Sequence, residues 1–75
     1  MKQNYHIEDY RFTACCVFYQ GEYVSTYQLI KHLNHWWPSI RWNELAKVCY
    51  YNELKTYLEY KINDIRNEES KKAKA

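Results

Sequence analysis

From Arg11 to Tyr19 side chains alternate in character and strand formers dominate, the period-two pattern of a strand. Tyr10, Phe12, Ala14, Cys16 and Phe18 form the more apolar set and are predicted to face the core. Gln20-Gly21 reads as a turn, because Gly21 reaches positive φ without steric cost. Glu22 to Val24 then returns as a partner strand, giving a short antiparallel hairpin.

The period changes after Val24. Ser25 and Gln28 fit a capping box. Leu29, Ile30, Leu33, Trp36 and Trp37 recur at helical spacing, with Gln28, Lys31, His32 and His35 on the polar side. Pro38 ends this helix, since the residue before a proline is pushed out of the α region. A second stripe follows: Leu45, Val48, Tyr51, Leu54, Leu58, Ile62 and Ile65. No Gly or Pro interrupts it, which favours one long helix from Asn43. The alternative is a break at Tyr50-Tyr51 and a third helix capped by Asn52. Glu44, Lys47, Lys55, Glu59 and Lys61 keep the outer face wet.

The expected fold is therefore α+β: a short N-terminal antiparallel β-hairpin packed on two α-helices, or three, the C-terminal one long. Residues 1–9 are read as a flexible segment, 10–67 as the single domain and 68–75 as a polar basic tail. The predicted core is Leu29, Ile30, Leu33, Trp36, Leu45, Val48, Leu54 and Leu58, with Phe12 and Phe18 beneath. An exposed hairpin edge, and the reach of Tyr57, Leu58, Ile62 and Ile65 beyond the first helix, imply a homodimer or a partner that covers the surplus.

Size and composition narrow the function. A chain of 75 residues buries only roughly 60% of its unfolded surface. It has little material to wall a ligand pocket of roughly 300–1,000 Å³, so no enzyme is expected. The net charge of +2 is too small for a concentrated phosphate-binding face, so nucleic acid is the less expected partner. Lys71, Lys72 and Lys74 read as a solvated end. No stretch is long and apolar enough to span a membrane, and none is expected as a partner. Met1–Tyr10 is polar and acidic, without the apolar run of a secretory signal. A cytoplasmic protein with reduced thiols is the expectation.

The chemistry-bearing residues form no complete site. His32, His35, Cys49 and one of Cys15 or Cys16 could supply four zinc ligands, but the spacing fits no zinc pattern. Neither a metal nor a cofactor is expected. His6 could approach Cys15 or Cys16, yet no glycine-rich turn follows to build an oxyanion hole, so no catalytic residue is expected. Asn43 to Lys47, followed by a helix from Asn52, has the outline of a degenerate helix-turn-helix presenting Glu53, Lys55, Thr56, Glu59 and Tyr60. The two acids work against phosphate approach.

What remains is aromatic surface. Nine tyrosines and three tryptophans cannot all be buried with their polar ends satisfied, and exposed rings anchor interfaces. The candidate binding residues are Tyr19, Tyr23, Trp37, Trp42, Tyr57 and Tyr60. The expected function is a small non-enzymatic protein-binding module, an inhibitor or regulator of a larger host protein. The abundance of Asn, Lys, Ile and Tyr, all with AT-rich codons, fits a phage or other mobile element. The alternative is a small DNA-binding transcriptional regulator.

Overall fold

A computed structural model describes residues 4–74, with side chains through Lys71. A three-stranded antiparallel sheet, β1 (Tyr10–Phe12), β2 (Val17–Tyr19) and β3 (Glu22–Tyr23), precedes three helices, α1 (Thr26–Trp36), α2 (Trp42–Leu45) and α3 (Tyr51–Lys74). The fold is α+β. Its long axis of 43 Å is set by α3, whose 24 residues span about 36 Å at the helical rise.

The stretch read as one strand is two, and this corrects the predicted core face. The chain turns at Thr13–Cys16, where the Thr13 amide donates to the Cys16 carbonyl at 3.0 Å and the Cys16 amide donates to Thr13 Oγ1 at 3.0 Å. The register pairs Tyr10 with Tyr19, Arg11 with Phe18 and Phe12 with Val17. Residues directly opposite share a face, so the face switches from even-numbered to odd-numbered positions across the turn. Tyr10 and Val17 are consequently in the core, while Phe18 moves to the outer face and packs edge-on to Tyr23. Ala14 is exposed at the turn. The second turn is as predicted: Gln20 and Gly21 both have positive φ, 53° and 81°, the geometry that matches strand twist in two-residue hairpins.

The capping box forms. Gln28 N donates to Ser25 Oγ, and Ser25 N donates to Gln28 Oε1. The buried face of α1 is Leu29, His32 and Leu33, with Trp36 half-buried. His32 was expected on the polar side. At about 100° per residue, His32, Leu33 and Trp36 all fall within about 60° of Leu29, whereas Ile30 lies about 100° away. Ile30 is accordingly only half-buried.

The favoured single helix from Asn43 is also corrected. Helix α2 stops at Leu45, and residues 46–50 turn before α3 begins. Val48, now out of phase with α3, is 76% exposed instead of buried. Leu45 is half-buried. In α3, Leu54, Leu58 and Ile62 are fully buried, so much of the supposed surplus is covered within one copy. Lys55, expected on the wet face, is buried to 6% exposure, with Nζ 3.4 Å from both carboxylate oxygens of Glu59.

Two side chains fasten α3 to the sheet. The Tyr51 hydroxyl donates to Val24 O at 2.6 Å and accepts from Val17 N at 3.2 Å. Further along, Arg66 Nη2 donates to Ile7 O at 2.8 Å and Tyr10 O at 3.2 Å. Of the segment expected to be loose, residues 1–3 lie outside the described residues; Ile7–Asp9 forms a 3-10 turn, and Tyr5 and Ile7 pack on the core. Of the predicted tail, α3 continues to Lys74; Ala75 and the side chains of residues 72–74 lie outside the description.

Candidate functional site: an aromatic groove beside the long helix

The end of α1, the 38–41 connection, α2 and the middle of α3 enclose an open groove of about 450 Å³ lined by Trp37, Ile40, Trp42, Thr56, Tyr57 and Tyr60. Trp42 is its floor. It is 1% exposed, and its indole Nε1 donates to Trp37 O at 3.1 Å, so the ring is fixed where α1 ends. Trp37 stands 5.8 Å from the Trp42 ring, and Tyr57 meets Trp42 edge-on at 5.4 Å. Lys61 Nζ lies 5.7 Å over the Trp37 ring in a cation–π contact. Tyr57 and Tyr60 are 46% and 72% exposed. They sit three apart on α3, so both project toward the same side of the helix.

The physics of this arrangement is a wet rim over a dry floor. The floor is held by packing and by a satisfied indole, so it needs no rearrangement to receive an apolar group. The rim supplies ring faces and phenol hydroxyls, which combine apolar contact with hydrogen bonding. Rigid aromatic side chains lose little conformational entropy on contact, so such grooves convert area into affinity efficiently.

Four of the six candidate binding residues meet here: Trp37, Trp42, Tyr57 and Tyr60. Tyr19 and Tyr23 do not. Tyr19 lies on the core face of β2, where its hydroxyl accepts from His6 N at 3.1 Å. Tyr23, 53% exposed, stacks on Tyr51 at 6.0 Å. These two border a separate concavity of about 80 Å³ with His32 and Gln28. Ile40 and Thr56 were missed by sequence reasoning. Thr56 was named beside Tyr60 only as part of the helix-turn-helix face and not as part of an aromatic surface; Ile40 carries no local signal.

The titratable residues make a different unit. His32 is enclosed by Tyr5, Tyr10 and Tyr19, whose ring centroids lie 3.9, 5.4 and 5.0 Å away. The Tyr10 hydroxyl is 2.5 Å from His32 Nδ1 and accepts from Trp36 Nε1 at 3.1 Å. A hydroxyl that donates to Nδ1 suits the neutral imidazole that burial favours. Burial pushes the His32 pKa down to about 4, helped by the nearby His35. Burial also raises the Tyr10 phenol above its ordinary value. This unit is a buried network: Tyr10 and His32 are 1% and 5% exposed. Among the described residues, no group of three or more His, Cys, Asp or Glu side chains is arranged to hold a metal.

The helix-turn-helix outline meets a difficulty of its own. Its first helix is four residues long, and Lys55, which a reading helix would present to phosphate, is buried against Glu59. No described helix is long and apolar enough to cross a membrane. No protein family matches the chain, and no curated protein or solved structure is significantly similar to it.

Proposed function

We propose that the protein is a non-enzymatic protein-binding module. It acts in the cytoplasm as an inhibitor or regulator of a larger host protein, and its gene travels with a phage or other mobile element. The observation that carries the reading is the groove of Trp37, Ile40, Trp42, Thr56, Tyr57 and Tyr60. Its floor is preorganised and its rim is aromatic, the composition of interface hot spots. A protein side chain that is apolar at its tip would pack between Trp37, Ile40 and Tyr57, which the buried Trp42 supports from beneath, while its flanking backbone meets the tyrosine hydroxyls.

The test starts from a target captured from host lysate and proceeds to quantitative titration. Trp37→Ala and Tyr60→Ala should each weaken binding by about 2 kcal/mol, roughly thirtyfold, with an unchanged circular dichroism spectrum. Removing Lys71–Ala75 should change little, and affinity should vary weakly with salt. If tail removal abolishes binding while both ring variants bind normally, the reading fails. A steep fall of affinity with salt would point to phosphate contacts and hence to a DNA-binding regulator.

A further inference from the structure

The tip of the β1–β2 hairpin carries two adjacent thiols that neither the core nor the groove uses. Cys15 is exposed, Cys16 is half-buried, and their sulfurs lie 3.5 Å apart. The turn that holds them is fixed twice over: by the Thr13 N to Cys16 O bond and by the Cys16 N to Thr13 Oγ1 bond. Both sulfurs thus start on the same side of a rigid tip, already at contact distance and reachable from solvent.

Direct oxidation is a poor use of this geometry. Neighbouring α-carbons across a trans peptide are held about 3.8 Å apart, below the roughly 4.4–6.8 Å that an ordinary disulfide spans. No cis peptide is present among the described residues. Closing a sulfur–sulfur bond here would strain the backbone. Inserting one atom between the sulfurs relieves that constraint, because the two sulfurs need not come to bonding distance. A closed tetrahedral zinc site is equally unsuited, since it requires four protein ligands and no third His, Cys, Asp or Glu joins the pair among the described residues. The fitting ligand is a soft, thiophilic centre with two exchangeable positions.

The geometry points to Cys15 and Cys16 as a chelating site for monosubstituted trivalent arsenicals. With phenylarsine oxide the reaction balances without a redox partner. Two As–S bonds form, the As–O bond is lost, and the two thiol protons leave with that oxygen as one water. Arsenic stays trivalent throughout. The thiol–thiol hydrogen bond raises the Cys16 pKa. Cys49, in the connection before α3, is the internal control: a single half-buried thiol whose pKa burial also raises.

Intact-mass spectrometry and native thiol counting with the full chain and phenylarsine oxide test the site. The wild type should bind one phenylarsenic group, lose two countable thiols, and keep the group against excess 2-mercaptoethanol while releasing it to 2,3-dimercaptopropanol. Cys49→Ser should behave as wild type. Cys15→Ser and Cys16→Ser should lose the group to the monothiol at least about tenfold faster. Should Cys16→Ser disturb the hairpin, Cys15→Ser, which alters only an exposed thiol, decides alone. Retention by Cys15→Ser, or loss by Cys49→Ser, would overturn the assignment. Folding is tested in parallel: the native protein should hold the arsenical at least about tenfold longer than the same chain in urea. Equal retention would show that sequence adjacency, and not this hairpin, makes the site.

Discussion

Replacing His32 with Gln should flatten the acid sensitivity of this protein by a predictable amount. In the folded state His32 is buried, neutral and hydrogen-bonded, with a pKa of about 4 against 6.5 for the unperturbed side chain. The folded value lies below the unfolded one, so the unfolded chain binds more protons between them. Stability from this residue is therefore complete above about pH 6.5 and is lost as pH falls toward about 4. The linkage relation gives a loss of about 2 kcal/mol by pH 5 and about 3 kcal/mol by pH 4, relative to pH 7. For a domain of this size, whose whole stability is roughly 4–11 kcal/mol, that is a large share. Gln keeps an acceptor for the Tyr10 hydroxyl but cannot titrate. Urea unfolding of wild type and His32→Gln across pH 4–7 isolates the term, because the two proteins differ only at this residue. The difference should grow as pH falls and level off below about pH 4. A flat difference, or one that grows toward alkaline pH, would refute the buried neutral imidazole.

The core and the α3 fastening are open to equally direct tests. Leu33→Ala, at a fully buried position, should cost about 2–5 kcal/mol in urea unfolding, whereas Val48→Ala should stay within about 0.5 kcal/mol. Comparable losses would mean that α2 and α3 are one helix after all. Tyr51→Phe deletes the hydroxyl that serves both Val17 N and Val24 O. It should cost about 1–3 kcal/mol and expose the Val17 amide to faster hydrogen exchange; unchanged exchange would contradict the bridge.

Local signals proved legible where the physics is local. The capping box of Ser25 and Gln28, the Gln20-Gly21 turn, and the Leu54–Leu58–Ile62 stripe each rest on residues within a few positions. The turn at Thr13–Cys16 was hidden because it contains no Gly, Pro, Asn or Asp; a threonine hydroxyl does the closing. Missing it reversed the face of every residue beyond, which placed Phe18 inside and Val17 outside. The burial of His32 depends on Tyr10, 22 positions away, and on ring neighbours from three separate segments. Polarity alone assigned that position to solvent, although its helical phase, about 60° from Leu29, lies on the buried face. Likewise the groove: its aromatic members could be named from composition, but their meeting required the turn at residues 46–50, which swings α3 back under Trp42. Tyr19 and Tyr23 were drawn away by partners in the sheet, a tertiary preference with no trace in local spacing.

The Arg66 contact with the carbonyls of Ile7 and Tyr10 has a consequence for how the chain becomes native. It joins positions 59 and 56 residues apart, so the strands that leave the ribosome first cannot be covered until most of α3 has followed. At ordinary rates of synthesis the apolar faces of β1, β2 and α1 therefore wait several seconds in water. During that interval the Tyr10 carbonyl on the edge strand has only the adjacent Arg11 side chain as a donor, and Arg66 joins it later. The guanidinium that completes the fold is thus also the group that closes the window for pairing with the wrong chain.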